Sequence, residues 1–193
     1  MEATPDELST YRTLSGAVVP RPIAWTSSRD ADGRDNLAPY SFFTIACVDP
    51  PILAVCPMNF EPDLKDTPAN AIETGEFAIN VVTAPHAKVM NESSEAISSG
   101  ENEFDHVGVE AAECTVVDAP RVADAPVTFE CRLYDAVELP TSILLLGEVV
   151  NVHLDESVLV DGKLDVEKID AIGRLAGGYY AYTRDRFHME RPG

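Results

Sequence analysis

The chain has 193 residues, 45% of them hydrophobic, and its 33 Asp and Glu against 14 Lys and Arg give a formal charge of -19. That length and apolar content suit one sizeable core and exclude a disordered chain, so a single domain over residues 1–193 is expected. The acid excess excludes nucleic acid and anionic membrane surfaces as partners, because neutralising phosphate takes Lys and Arg.

Only Lys65, Lys88, Lys163 and Lys168 are lysines. A lysine-poor, acid-rich surface suits a halophilic protein in a salty cytoplasm, where the self-repulsion of the acids is screened. No run of roughly eighteen apolar residues occurs, so no membrane span is expected. The opening MEATPDELSTYRTLSG lacks the basic and apolar regions of a signal peptide, which gives a cytoplasmic protein. Cys47, Cys56, Cys114 and Cys131 are widely spaced with no C-x-x-C pair. They read as buried free thiols, and no metal site is assigned.

In chain order, Asp6 to Thr13 suits a short helix, and Val18 and Val19 begin extended structure. Pro20 and Pro22 exclude a helix around Arg21. Ile23, Ala24 and Trp25 form an apolar strand that runs into Thr26, Ser27 and Ser28. Asp30 to Asp35 is a turn carrying Asp32-Gly33, a pair that accepts positive φ. Asn36 to Phe43 returns as a second extended segment, which Thr44 to Val48 continues into Asp49-Pro50-Pro51. Ile52 to Cys56 is a short buried strand closed by Pro57 to Pro62. Lys65 to Ile72 reads as a helix start, with Asp66 or Thr67 as N-cap and Pro68 in the first turn; Glu73-Thr74-Gly75 ends it.

Phe77 to Val82 alternates as a strand, and a helix follows from Ala87 to Ser98 with Val89, Met90 and Ile97 as its apolar stripe, stopped by Ser99-Gly100. Glu101 to Asp118 is polar and partly loop, with a strand at ECTVV. Val127, Phe129, Cys131 and Leu133 alternate with Thr128, Glu130 and Arg132, a half-buried antiparallel pattern. Ile143 to Leu154 is a longer strand, and Asp161-Gly162 turns a hairpin. Asp165 to Arg174 suits a short helix, and Gly177-Gly178 leads into a strand over Tyr179 to Arg184. Strands outnumber helices and turns recur at short spacing. The fold class is mainly β, an antiparallel barrel with a few peripheral helices.

The stretch from Val19 to Phe43 gathers small hydroxyl and amide side chains at the ends of two extended segments. Such a site can hold a flat, polar-edged ligand, since small residues admit it closely and hydroxyls and amides bond its rim. At the helix start, free backbone N–H groups, the Thr67 hydroxyl and the Lys65 cation describe a phosphate seat. The competing reading is an ordinary capped helix with a solvated lysine. No G-x-G-x-x-G, G-x-x-x-x-G-K or G-x-S-x-G is present. Of the four histidines His86 is the best placed for chemistry, yet none has a distinctive context, and no catalytic residue is assigned.

RPIAWTSSRDADGRDNLAPYSFF, then DPP, then KDTPANAIETGEFAIN, in that order, resembles the flavin reductase-like, FMN-binding split-barrel family, and its flavoredoxin-like branch in particular. The later APVTFECRL, GEVVNVH and GRLAGGYYAY fit more loosely. The resemblance implies a six-stranded antiparallel Greek-key split barrel, a homodimer, and FMN as cofactor near the subunit interface. By motif it places Thr26 and Ser27 against the flavin and Asn36, Ala38, Ser41 and Phe42 along the isoalloxazine, with Ser41 near N5. Lys65, Asp66 and Thr67 would hold the phosphate. The implied activity is that of an NAD(P)H-dependent flavin oxidoreductase. The alternative is a non-turnover, FMN-bound electron carrier that exchanges electrons with protein partners. The charge reading has its own check: the melting temperature rises with salt, and a melting point that stays level or falls across a salt series refutes it.

Overall fold

The structure, a computed structural model, describes residues 2–59, 64–97 and 101–192. The expected breaks at residues 57–62 and 99–100 lie in part or wholly outside the described residues. The first half holds α1 (Thr10–Ala17), β1 (Arg21–Pro22), β2 (Ala24–Arg29), β3 (Asp35–Tyr40), β4 (Phe43–Val48), β5 (Pro51–Val55), α2 (Asp66–Thr74) and β6 (Glu76–Val81). Then come α3 (Ala87–Glu92), α4 (Glu103–Val107), β7 (Ala111–Glu113), β8 (Pro120–Val122), and the long strands β9 (Val127–Leu139) and β10 (Ser142–Leu154). The chain finishes with β11 (Leu159–Val160), β12 (Lys163–Leu164), α5 (Val166–Ile169), β13 (Ile172–Arg174) and β14 (Tyr180–Tyr182).

One antiparallel sheet dominates, in the order β3-β2-β6-β9-β10-β5-β4. Its two edge strands, β3 and β4, are consecutive in the chain and separated only by Ser41 and Phe42. A link that short brings the two edges side by side, so the sheet curls into a barrel whose seam carries no β-ladder. The fold class is as expected, with seven strands where the resemblance implies six. The difference is local: residues 36–48, read as one extended run, break at Ser41-Phe42, and their halves occupy opposite edges. A second sheet, β1-β13-β14, and the ribbons β7-β8 and β11-β12 lie outside this ladder.

The barrel interior is filled by Leu53, Val55, Phe77, Ile79, Ile143 and Leu145, with Ala71 of α2 packed among them. Trp25, Leu37, Val82, Met90 and Phe104 form a second cluster. Ala24 belongs to the first cluster and Trp25 to the second, as the two-residue period of a strand requires. That strand is therefore covered on both faces. The Trp25 indole N–H donates to Ser93 Oγ at 2.9 Å, satisfying its one polar atom inside the core.

Several elements differ from their sequence readings, each for a visible reason. Residues 6–13 do not form one helix, because Leu8 is extended and α1 begins only at Thr10. The helix expected over residues 87–98 stops at Glu92, where Ser93 turns its hydroxyl back onto the Met90 carbonyl while accepting from Trp25. The region expected to be partly loop contains α4, capped by Asn102, whose side chain accepts from the Asp105 N–H. No strand forms at ECTVV beyond Glu113, because Thr115, Val116 and Val117 point their N–H groups at the Glu130 carboxylate instead of at a neighbouring strand. The helix read over residues 165–174 ends at Ile169, where Asp170 takes φ 50°, and Ile172–Arg174 pairs with β1 and β14. Of the four free cysteines only Cys131 is buried; the others are half-buried, Cys47 on the edge strand β4.

Gly147 in β10 is fixed by the core. A Cβ there would sit 2.4 Å from Phe77 Cζ and 3.0 Å from Cys131 Cβ, inside a ring that is itself fully buried. Gly147→Ala is expected to cost about 1–3 kcal/mol by overpacking, read as a melting-point drop of several degrees. Gly147→Ala combined with Phe77→Leu should recover part of it, and a single variant as stable as wild type would refute this packing.

Candidate functional site

The turn between β2 and β3 is held by Arg34, which pairs with Asp30, and by Gly33 at φ 84°. Behind the hairpin a buried polar seam fastens α2 in place. Asn36 Nδ2 donates to Thr67 Oγ1 at 2.8 Å and to Ser28 Oγ at 3.3 Å, and Asn70 Nδ2 donates to the same Ser28 hydroxyl at 3.1 Å. Each of these side chains is buried, so each bond replaces water and fixes position. The seam therefore sets the start of α2 against the middle of β3. The N-cap is Lys65, not Asp66 or Thr67 as the sequence reading had it; its ammonium offers no acceptor, so no side chain caps the helix, and the Thr67 hydroxyl, already inside the helix, accepts from Asn36.

A cavity of about 320 Å³ opens between the two elements. Asn36, Ala38, Pro39 and Tyr40 form its floor, Lys65 and Asp66 its wall at the helix start, and residues 93–97 with Glu103 the opposite side. Glu103 Oε2 accepts from the Leu37 N–H at 3.0 Å, and burial pushes its pKa up. Burial likewise pushes the Tyr40 hydroxyl up to about 12, opposed in part by its hydrogen bond with Thr67, so it stays uncharged. A second cavity, of about 210 Å³, adjoins the first across Pro39 and Ser94. Ser41 lines it, receiving the Arg21 Nε–H at 3.4 Å.

Of the residues singled out by sequence, Asn36, Ala38, Lys65 and Asp66 meet in one cavity. Thr67 sits directly behind it, buried, and Ser41 lies in the adjoining cavity. Phe42 lines a third, apolar hollow together with Phe43 and Leu144. Thr26 and Ser27 have no exposed surface; the Ser27 hydroxyl donates to the Pro120 carbonyl at 2.6 Å. Residues 93–97, Glu103, Arg21 and Arg174 were missed as cavity residues. Their one sequence signal was Ser93-Ser94, a pair of weak helix formers late in an apolar stripe. His86, the best-placed histidine, is buried between Thr83, Asp124 and the Trp25 ring and lines neither cavity.

A separate polar centre lies under β7 and β8. The wholly buried Glu130 carboxylate accepts from the N–H groups of Thr115, Val116 and Val117, from Asn151 and from His153. Cys114, Glu130 and His153 bring a thiol, a carboxylate and an imidazole within 4.8 Å of one another. The carboxylate's lone pairs are already filled by these donors, and burial pushes the Cys114 thiol up to about 12, so the cluster works as a hydrogen-bonded node. Burial alone would raise the Glu130 pKa; the backbone and Asn151 donors outweigh it and hold it down at about 2.

The curled seven-stranded sheet, with an uncapped helix start and a lysine facing Asn36 and Ala38 of β3, is the build of a split-barrel flavin-type domain. The match to the flavin reductase like domain runs over residues 15–185, and the chain belongs to that family. It is 32% identical to nitrilotriacetate monooxygenase component B from Bacillus cereus, with TM-score 0.94 over 98% of both chains. It is also 32% identical to the 2-nitrobenzoate 2-nitroreductase NbaA from Pseudomonas fluorescens, with TM-score 0.88 over 100% of this chain and 96% of that one. The flavoredoxin of Desulfovibrio vulgaris (Miyazaki F) shares the fold at 23% identity, with TM-score 0.79 over 98% and 97%.

Because the folded pKa of Glu130 lies below its ordinary value of 4.5, its contribution to stability is complete above about pH 5 and is lost as pH falls through 4.5 towards 2. At neutral pH it is worth on the order of 3 kcal/mol. Glu130→Gln is therefore expected to melt well below wild type at pH 7, with a gap that narrows steadily towards pH 3. A gap independent of pH would refute the assignment.

Proposed function

We propose that the protein is a cytoplasmic FMN-binding flavoprotein that works as an NAD(P)H-dependent flavin oxidoreductase. The observation that carries the reading is the first cavity, where Lys65 and the uncapped start of α2 stand against Asn36 and Ala38 of β3. An uncapped helix start offers N–H donors and the positive end of its dipole, and the adjacent ammonium adds a full charge; together they suit a phosphate. Asp66 works against an anion here, which makes the lysine the decisive charge at this end. Family membership and the likeness to a monooxygenase component B and a nitroreductase point the same way.

In this reading FMN, when bound, would supply the redox chemistry as a hydride acceptor and electron donor. Asn36 and Ala38 would line the ring, and Ser41 would offer a hydroxyl near its N5 edge. Ser28, Asn36, Thr67 and Asn70 hold the floor and the helix start rigid through their buried hydrogen bonds. Thr26 and Ser27 support the ring strand from within the core, and Phe42 closes the seam. No side-chain acid or base is required, in keeping with histidines that are spent on structural partners or lie at the surface.

We further propose a homodimer. Ile45 and Val48, 69% and 83% exposed on edge strand β4, stand with Ile52, Phe129 and Val152 around an apolar hollow of about 440 Å³. An exposed apolar area of this kind along an edge strand suits a second copy of the chain, whose burial has to outweigh the repulsion between two acidic surfaces. Val48→Asp is expected to shift the protein to a monomer by light scattering.

Titration with FMN is expected to show saturable binding that Lys65→Ala weakens ten-fold or more, as loss of a charge-assisted contact predicts. NADH or NADPH should then be oxidised with FMN present. Unchanged affinity in Lys65→Ala moves the phosphate elsewhere. Bound FMN that is reduced only by a protein donor replaces the reductase with an electron carrier.

A further inference from the structure

Arg21 and Arg174 face each other as register partners across β1 and β13. The strands approach closely there, since a Cβ on Gly173 would come within 3.3 Å of the Arg21 carbonyl oxygen. Like charges directly opposite in an antiparallel pair repel. Five of the other eight arginines, Arg29, Arg34, Arg132, Arg184 and Arg186, each reach a carboxylate. Arg21 and Arg174 form no ion pair among the described residues, and the cavity they line contains no Asp or Glu, in a chain with 33 of them.

Both guanidinium groups are held in place by neutral groups. Arg21 is 7% exposed and donates to the carbonyls of Ser15, Val18 and Leu175 and to Ser41 Oγ, which occupies four of its five N–H groups. Arg174 lies over the Tyr180 ring, 4.6 Å from its centroid, and donates to the Tyr180 hydroxyl and the Gly177 carbonyl. That leaves one N–H of Arg21 and three of Arg174, with two positive charges, lining a cavity of about 210 Å³. Its other walls include Tyr11, Ile23, Pro39 and Met90. A planar guanidinium matches the two oxygens of a carboxylate, and the ring and aliphatic walls suit an aromatic body rather than a fully charged phosphate.

We propose that this cavity is a binding subsite for an aromatic carboxylate, held by Arg174 and Arg21 beside the flavin cavity. It shares Pro39 and Ser94 with that cavity, so its occupant lies next to Ser41 and the proposed ring position. The inference rests on the flavin reading and deepens it by naming the chemical class of the second ligand. Binding removes an existing repulsion between the two guanidinium groups, so the ligand should also stabilise the fold.

The test titrates the FMN-loaded protein with benzoate, benzamide and inorganic phosphate by calorimetry, and repeats it on the flavin-free protein. Benzoate is expected to bind saturably and to raise the melting temperature; benzamide and phosphate are expected to bind at least ten-fold more weakly. Arg174→Gln should weaken benzoate ten-fold or more while FMN affinity stays within two-fold. Arg174→Lys, which keeps the charge but loses the planar fork, should weaken benzoate several-fold and serves if the glutamine variant does not fold. FMN binding without benzoate binding overturns this inference and leaves the flavin reading standing. Phosphate or benzamide binding as tightly as benzoate also overturns it, as does an equal loss of FMN and benzoate affinity in Arg174→Gln. Failure of FMN to bind sinks the flavin reading, and benzoate binding to the flavin-free protein then decides the subsite alone.

Discussion

The two residues between β3 and β4 constrain this structure more than any other feature. Ser41 and Phe42 join strands that lie at opposite edges of a seven-stranded sheet, so the sheet has to curl until those edges meet. Curling creates an interior for Phe77, Ile79 and Leu145 and leaves a seam without a ladder. The backbone at the seam is free of strand partners on one side; Ser41 and Phe42 both line the apolar hollow there, and Ser41 also borders the cavity of Arg21 and Arg174. The candidate site borders this seam because closure there leaves polar backbone and side chains within reach of a ligand.

Charge placement follows a second rule. In this acid-rich chain several basic side chains serve nearby carboxylates: Arg29 gathers Asp35, Glu113 and Asp118, and Arg184 holds Asp170 at the αL end of α5. The buried acid Glu130 uses backbone N–H groups rather than an arginine, and in doing so turns residues 115–117 away from strand pairing. Lys65 at the start of α2 and the Arg21–Arg174 pair stand outside this economy. What sets them apart is that they line cavities on either side of the same β3 strand, where an unpaired positive charge suits an anion.

Much of the fold was legible because the residues that built it act over short range. The Asp32-Gly33 turn, the alternation from Val127 to Leu133, Gly75 at the end of α2 and the Asp161-Gly162 hairpin are each decided by neighbours within a few positions. The misread elements share the opposite property. α3 stops because Ser93 is drawn to Trp25, 68 positions away in sequence. The ECTVV strand fails because a carboxylate from β9 takes its N–H groups, and residues 172–174 become a strand because β1 offers an edge. No local propensity records a partner of that kind.

The site divides along the same line. By itself the sequence determined the hairpin with its hydroxyl and amide side chains, a helix that begins near Lys65-Asp66-Thr67 and the excess of negative charge, since turn chemistry, a first-turn proline and composition are properties of short segments. Only the tertiary structure decided that Asn36 and Lys65 share a cavity while Thr26 and Ser27 are sealed inside, and that Arg21 meets Arg174 with no acid between them. Those outcomes depend on how a barrel closes and which strands then become neighbours, and that depends on the packing of the whole chain at once.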